Sequence, residues 1–194
     1  MQLCDRPYLE RILDRGELNV IDLIALRLTP DAFQFLTDHI AANPGISSIR
    51  IASGALTTDE AHKIAEAVTA PDNILALDLN DNLVSDQNIQ SFLRRIAVFR
   101  NLAKLDLSSN PLTNIGATAI ADFIKGSDSL RSLKIDNTQI LHDGSVAVAE
   151  AVQANSSLRE VAFLQAQRAP VTVRTVLKIL SQRQGLQLSG VSKI

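Results

Sequence analysis

The sequence contains few of the residues that build disulfides, metal clusters and aromatic interfaces. Among 194 residues there are one cysteine, Cys4, three histidines, one tyrosine and no tryptophan. A single cysteine excludes an internal disulfide and any zinc site made of several cysteines. His39, His62 and His142 fall in different copies of the repeat described below, so we expect no shared metal site and no cofactor.

The charge balance and the short apolar runs argue against nucleic-acid-binding and membrane-bound proteins and against secretion by a classical signal peptide. The net charge is −2, so we expect no electrostatic attraction to nucleic acid or to an anionic membrane. No run approaches the roughly 18 apolar residues of a membrane-spanning helix. The first residues, MQLCDRPYLERILDRGE, lack the apolar stretch of a signal peptide. We therefore expect a globular protein that is cytoplasmic, or secreted without a classical signal into a host cytoplasm.

Self-similarity is the main feature that the sequence does contain. Six segments align without a gap at a spacing of 28 residues, and they begin at Leu18, Ile46, Ile74, Leu102, Leu130 and Leu158. In each segment, positions 1, 4 and 6 are apolar, and the step from 4 to 6 is the period of a strand. Positions 16, 19, 20 and 23 have the spacing of an amphipathic helix. Such a fixed period indicates a repeat array.

The pattern LxxLxLxxNxL followed by a helix resembles the leucine-rich repeat. The 28-residue length with a full helix is similar to the ribonuclease-inhibitor-type subclass. The resemblance covers residues 18 to 183 or so and is weakest in the terminal repeats, where Leu26 and Ala166 replace the usual asparagine. It implies an α/β solenoid with parallel strands on the concave face and helices on the convex face.

We predict three parts in the chain. Residues 1–17 contain an N-terminal capping helix, residues 18–185 form six repeats, and residues 186–194 are a C-terminal cap or tail. Leu186 falls one period after Leu158, so the last part is either a partial seventh strand or a loose tail. The residues of the capping helix that would cover the first repeat are Tyr8, Leu9, Ile12 and Leu13.

Two residue types have a structural explanation. Asn82 and Asn110, at position 9, would use buried amides to bond the backbone after the strand and would form a ladder with the next repeat. Gly116 and Gly144, at position 15, would permit close backbone approach near a helix start. Asn155-Ser156-Ser157 matches a glycosylation acceptor sequence, but without a secretory signal we expect it not to be used.

The sequence contains no recognisable catalytic motif. G-x-S-x-G, HExxH and phosphate-loop patterns are absent, so we expect no enzyme activity. Some relatives in the subclass activate GTPases through specific loop residues. The corresponding turns here contain no arginine, and they are GALTTDE, NLVSDQN, PLTNIGA and ILHDGS.

The concave face, formed by positions 3, 5, 7 and 8, is the remaining candidate site. Neighbouring parallel strands lie about 4.8 Å apart, so position 5 forms a row of Asp22, Arg50, Asp78, Asp106, Lys134 and Ala162. In one interpretation, pairs such as Arg50–Asp78 and Asp106–Lys134 neutralise each other, each worth under about 1 kcal/mol. In the other, the like charges of Asp78 and Asp106 receive a basic group of a protein partner. The candidate binding residues are Arg50, Asp78, Asn80, Asp81, Lys104, Asp106, Lys134 and Asp136.

Two functions fit this sequence. The first is a non-catalytic protein–protein interaction module that acts as a monomer through its concave face or loop rim, as a cytosolic adaptor or as a bacterial effector in a host cell. The alternative is an enzyme regulator, either an inhibitor or a GTPase-activator-like protein. The chain could also be a piece of a larger protein. Only Ile24 and Leu164 place sizeable apolar side chains on the concave face, so we expect a mostly polar interface.

Overall fold

The computed structural model describes residues 1–15, 19–163 and 170–189. Its main element is a parallel sheet in which strands that follow each other along the chain lie side by side. In order across this sheet, the strands are β2 (Val20–Ile24), β4 (Ser48–Ala52), β5 (Ala76–Asp78), β6 (Lys104–Asp106), β7 (Ser132–Lys134), β8 (Glu160–Ala162) and β9 (Gln187–Ser189). A second, small sheet pairs β1 (Gln2–Cys4) with β3 (Leu26–Leu28).

Helices connect the strands and pack against one side of the sheet. They are α1 (Arg6–Leu13), α2 (Pro30–Ala42), α3 (Thr58–Ala67), α4 (Ile89–Ile96), α5 (Asn114–Gly126), α6 (His142–Ala154) and α7 (Pro170–Leu180), with a 3-10 turn at Pro71–Asn73. In the described part of the chain, none of the helices has the length and apolar content needed to cross a bilayer.

The strand pairing defines how the repeats are stacked. From β2 to β8, each paired residue lies 28 positions after its partner, as for Ser132 and Glu160. Between β8 and β9 the step is 27, since Val161 pairs with Leu188. Residues 187–189 thus form a seventh strand, shifted by one residue from the alignment that places Leu186 opposite Leu158.

The core is a continuous apolar layer between the sheet and the helices. Strand positions 4 and 6 supply one side of it, and Leu107 has no exposed surface (0%). Helix positions 16, 19, 20 and 23 supply the other side, as shown by Ala117, Ile120, Ala121 and Ile124, which are all buried. The period identified these residues correctly because burial on a strand or a helix follows directly from spacing.

The N-terminal helix α1 packs on the first repeat. Leu9 is buried, and Tyr8, Ile12 and Leu13 are partly buried against the core. The helix begins after Asp5, whose Oδ1 accepts a hydrogen bond from the Tyr8 N–H at 3.0 Å. Strand β1, just before it, was not predicted because three residues are too short to show a period.

Cys4, in β1, is part of the same core and has no exposed surface. Burial raises the pKa of its thiol, and the neighbouring Asp5 carboxylate raises it further. A buried thiol that resists ionisation is a packing residue and not a nucleophile.

The two position 9 asparagines link neighbouring repeats through buried hydrogen bonds. Asn82 Oδ1 accepts from the N–H groups of Gly54 and Leu56, both at 3.0 Å. Asn110 Oδ1 accepts from the N–H of Val84 at 2.9 Å. These bonds reach the preceding repeat, whereas the sequence analysis placed them on the next one. Direction could not be deduced, because a strand period does not say which way a buried amide turns.

A second set of links caps the central helices. Asp86 Oδ1 accepts from the N–H groups of Thr113 (3.0 Å) and Gly116 (2.9 Å), and Asn114 Oδ1 accepts from the N–H of Gly144 (3.3 Å). A Cβ atom at Gly116 would lie 2.5 Å from Asp86 Oδ1, and one at Gly144 would lie 2.6 Å from Asn114 Oδ1. The glycines do permit a close approach, and the approaching group is a capping side chain from the previous repeat.

Each strand of the first five repeats is followed by a residue with left-handed backbone geometry. The φ angles lie between 54° and 58° at position 8, which is occupied by Ala25, Ser53, Asp81, Ser109 and Asn137. This geometry turns the chain sharply from the sheet toward the helix layer. It is unfavourable for most residues, and least so for glycine, asparagine and aspartate.

Candidate functional site

The concave face is the side of the main sheet opposite the helix layer, and it brings the predicted residues together. The position 5 residues are direct partners in the strand pairing, including Asp78 with Asp106 and Asp106 with Lys134. A shallow depression of about 210 Å³ lies over the central strands. Its lining residues are Ser48, Arg50, Ala76, Leu77, Asp78, Lys104, Leu105, Asp106, Ser132 and Lys134.

Arg50 bridges two aspartates on this face. Its Nε lies 3.1 Å from Asp78 Oδ2, and its Nη1 lies 3.9 Å from Asp22 Oδ1. The Arg50 and Asp78 side chains are 46% and 29% exposed, so water competes for the same groups and the pair contributes under about 1 kcal/mol. Arg50 therefore offsets part of the negative charge that Asp22 and Asp78 place on the first three strands of the main sheet.

Asp106 is held in place by a backbone hydrogen bond. Its Oδ1 accepts from the N–H of Ser108 at 2.9 Å, just as Asp78 Oδ1 accepts from the N–H of Asn80 at 3.0 Å. Across the ranges that the structure describes, no lysine, arginine or histidine nitrogen lies within 4.0 Å of the Asp106 carboxylate. Lys134 stands beside it in the pairing but forms no ion pair with it. The Asp106 carboxylate points to the Ser108 N–H. The strand register predicts which residues are neighbours, but it does not predict this side-chain rotamer.

The other predicted residues lie where the strands end. Asn80 Nδ2 donates to the carbonyl oxygen of Ser108 at 3.3 Å. Asp81 Oδ2 accepts from the hydroxyl of Ser53 at 2.7 Å, and the Asp136 N–H donates to the hydroxyl of Ser108 at 3.2 Å. Together with Asp78 and Asp106, these residues make the carboxyl end of the central strands acidic.

Exposed apolar side chains lie near the ends of the strands. Ile24 is exposed at the end of β2, while Leu164 lies outside the described residues. Phe163, which follows β8, is buried in the core, and Lys104 is exposed on β6. Leu75, just before β5, and Leu83, in the turn after it, are 50% and 52% exposed, so a polar interface stays a prediction.

A larger groove, which the sequence does not predict, lies between α4 and α5 on the helix side. Its volume is about 570 Å³. Its lining combines apolar residues with arginines from the α4 side and aspartates from the α5 side, and it includes Leu93, Arg94, Ile96, Phe99, Arg100, Asp122, Phe123 and Asp128.

The groove has a local cause in the repeat that contains α4. Helix α4 has 8 residues and α5 has 13. Arg95 stands one period before Phe123 but turns away from the groove, and its Nε donates to the carbonyl of Ala65 in α3 at 3.1 Å. A Cβ at Gly126 would meet no atom within 4 Å. The small residues Ala119 and Gly126 are the only hint of the groove in the sequence. A period in apolar residues shows which side chains are buried, but it does not show where small ones leave a groove.

The three histidines lie on three different helices, α2, α3 and α6. His62 Nε2 lies 3.3 Å from Glu66 Oε1 on the same helix, and His142 Nδ1 lies 3.0 Å from the hydroxyl of Thr172. Within residues 1–15, 19–163 and 170–189, no group of three or more histidine, cysteine, aspartate or glutamate residues is arranged to hold a metal ion.

Comparison with known proteins places the fold. No protein-family model matches the sequence, and no curated protein matches it. Among solved structures, actin-binding site 2 of leiomodin-1 is similar with a TM-score of 0.66 and 17% identity, covering 79% of this chain and 90% of that chain. The fold is a leucine-rich-repeat-like solenoid. An internalin, InlF from Listeria monocytogenes str. 4b F2365, gives a TM-score of 0.49 and 10% identity, covering 91% of this chain and 48% of that chain.

This likeness concerns architecture alone. The parallel sheet and the helix layer correspond to those of leucine-rich-repeat proteins. The finer assignment to the ribonuclease-inhibitor-type subclass stays a prediction, as does the role of the concave residues.

Proposed function

We propose that this chain is a non-catalytic protein-binding module and that its partner docks on the concave face. The observation that carries the proposal is the state of Asp106. Its carboxylate is fixed by the Ser108 N–H, lines the depression, and has no cation within 4.0 Å in the described part of the chain. A basic side chain of a partner would supply the missing opposite charge and would orient the complex.

The neighbours of Asp106 define what the partner should present. Asp78 is already paired with Arg50 at 3.1 Å, so we place the anchor at Asp106 and not evenly on the Asp78–Asp106 pair. Lys104 and Lys134 line the same depression. A matching partner surface therefore has one lysine or arginine flanked by acidic groups.

The fold supports a protein as the partner. One structure with a similar fold is an actin-binding site of leiomodin-1, so a solenoid of this kind binds a protein in that case. The support is an analogy between folds, and it assigns no particular partner to this chain.

The proposal covers several finer roles. A monomeric adaptor in the cytoplasm and a bacterial effector in a host cell would both use the concave face or the loop rim in this way. An enzyme regulator is the second candidate, since Leu83 in the turn after β5 is 52% exposed and could enter a partner's cleft. We rank it second because an apolar side chain could block a site but could not stabilise charge in a transition state.

The experiment compares three immobilised proteins in quantitative capture from candidate lysates: wild type, Asp106→Lys and Glu150→Lys. Glu150 is exposed on α6, so its variant has the same change of net charge on the helix side. We expect at least one protein to be retained by wild type and Glu150→Lys and lost by Asp106→Lys. Equal retention by all three would move the interface away from the concave face and overturn the proposal.

A further inference from the structure

We propose that Arg131, Arg159 and Arg183 form a binding site for a doubly charged phosphate group carried by a phosphorylated segment of another protein. We call these three residues the arginine cluster. The cluster lies where β7 and β8 begin, at the opposite end of the strands from Asp81 and Asp136.

The three guanidinium groups converge on a single turn. Arg131 Nη1 donates to the carbonyl of Ser157 at 3.3 Å, and Arg159 Nη1 donates to the carbonyl of Leu158 at 2.8 Å. Arg183 Nη2 donates to the same Leu158 carbonyl at 3.2 Å. Three side chains that are 28 and 24 positions apart in sequence are thus brought to neighbouring carbonyl oxygens.

Buried hydrogen bonds hold the turn whose carbonyls the arginines bind. Asn155 is buried, and its Nδ2 donates to the carbonyls of Ile124 and Ser127, both at 2.7 Å. Its Oδ1 accepts from the N–H groups of Ser157 and Leu158, both at 2.8 Å. The same bonds show that the Asn155 amide, part of a formal glycosylation sequence, is engaged inside the folded protein.

Acidic residues lie near the cluster, but their carboxylates have other partners or stand farther away. Asp128 offers its backbone carbonyl to Arg131 Nη1 at 3.0 Å, but its carboxylate lies beyond 4.0 Å from the guanidinium. Glu160 accepts from the hydroxyls of Ser132 (3.0 Å) and Ser189 (3.2 Å). Over the described ranges, no carboxylate forms an ion pair with any of the three arginines.

Donor groups remain available for a ligand. A guanidinium has five N–H donors. Within the described part of the chain, the hydrogen bonds of each arginine use one nitrogen only. Arg131 and Arg159 are exposed, so their other nitrogens face solvent. Bidentate arginine bonds to a phosphate are short and strong, and a phosphate with three acceptor oxygens can serve several arginines at once.

The surroundings favour a phosphorylated segment of a protein. Arg131 and Arg159 directly precede β7 and β8, so an extended chain that lies on the last strands could place a phosphate at the cluster. A flat anionic membrane fits poorly, because Asp128 stands beside the cluster and the whole chain has a net charge of −2. This inference does not depend on the docking of a basic group at Asp106.

The first test uses a fluorescent peptide that contains one phosphoserine and is otherwise uncharged. The same peptide with an unphosphorylated serine is the control. Fluorescence anisotropy with wild-type protein should show binding of the phosphopeptide at least about tenfold tighter than that of the serine peptide. Inorganic phosphate should compete weakly. Equal binding of the two peptides would overturn the proposal.

The second test locates the site. Arg131→Ala/Arg159→Ala should lose phosphopeptide binding by at least about tenfold, whereas Arg94→Ala, an exposed arginine of α4, should bind like wild type. Arg159→Lys keeps the charge without the planar fork and should give a smaller loss. If the double variant does not fold, binding by Arg159→Lys and the arginine Nε–H NMR signals of the wild-type protein test the site instead, and these signals should shift when the phosphopeptide is added. An equal loss of binding in Arg94→Ala, or no shift of the signals on addition of the phosphopeptide, would overturn the assignment.

A third test separates the source of the phosphate. Vesicles that contain phosphatidylserine should not bind under conditions where the phosphopeptide does. Binding to vesicles alone, or to inorganic phosphate with no binding of the phosphopeptide, would overturn the assignment to a protein segment.

Discussion

The position 9 asparagines and the position 5 charges both link neighbouring repeats, but they do so in different surroundings. Asn82 and Asn110 are 5% and 2% exposed, whereas the Arg50 side chain in the exposed row is 46% exposed. When a buried hydrogen bond is lost, its donor and acceptor are left unsatisfied, because water does not reach them. When an exposed ion pair is lost, water solvates the two charged groups instead. The buried links therefore hold the stack together, and the exposed row can change its charges at little cost in stability.

The largest effect that we predict tests the boundary between these two sets. Leu107, fully buried, directly follows the exposed-face residue Asp106. Leu107→Asp should unfold the protein, because a buried unpaired carboxylate costs several kcal/mol out of a total stability of about 5 to 15 kcal/mol. Circular dichroism during thermal melting measures this. Asp106→Leu is the control and should stay folded, and a wild-type melting temperature for Leu107→Asp would show that the assigned register is wrong.

A large but smaller effect is expected from Asn110→Ala. The change removes the acceptor of the Val84 N–H and the donor to the Leu79 carbonyl, and each buried group left unsatisfied costs about 1 to 3 kcal/mol. Urea unfolding should show a loss of about 3 kcal/mol. Thr138→Ala, at position 9 of the next repeat, loses one bond to the Ile135 carbonyl and should lose less. Equal losses would argue against the special role of the asparagines.

An intermediate effect on stability is expected at the contact between the capping side chain of Asp86 and Gly116. Asp86→Ala should lower the free energy of unfolding by about 1 to 2 kcal/mol, because the N–H groups of Thr113 and Gly116 lose their acceptor. Gly116→Ala should also destabilise, since its Cβ would lie 2.5 Å from Asp86 Oδ1. In the double variant the contact with Asp86 disappears and only the contact with Leu112 Cδ2 at 2.9 Å remains, so urea unfolding should give a loss smaller than the sum of the two. Simple additivity would contradict the close approach.

The smallest effect is expected in the exposed row. Arg50→Ala removes the ion pairs to Asp22 and Asp78 and should change the free energy of unfolding by less than about 1 kcal/mol. The difference should shrink further in high salt, since exposed charges are screened over about 8 to 10 Å at physiological ionic strength. Urea unfolding at two salt concentrations measures this. A salt-independent loss comparable to that of Asn110→Ala would remove the distinction between the two sets of links.

The fold was predictable from the sequence because it depends on spacing. A 28-residue step fixes which side chains share a face, and strand pairs such as Asp78 with Asp106 follow from it. The same step was misleading at the C-terminal end, where the pairing of Val161 with Leu188 is one residue shorter. A single missing residue between two strands leaves the apolar pattern almost unchanged.

The details of the surface were less predictable, because they depend on side-chain rotamers. The register placed Asp106 beside Lys134 but could not show that the carboxylate turns to the Ser108 N–H. Arg131 and Arg159 stand at position 2 of neighbouring repeats, which was visible in the sequence. The convergence of their guanidinium groups could not be predicted, because it depends on where the carbonyl oxygens of the turn lie.

The left-handed residue after each strand has a consequence for how such a surface can diversify. Position 8 requires a positive φ in the first five repeats, which disfavours β-branched and bulky residues there. Position 5 lies on the strands, where the backbone is extended, so its side chain is not restricted in this way. New binding specificities can therefore evolve along the strands by single substitutions, while the turns remain limited to a small alphabet of alanine, serine, aspartate, asparagine and glycine.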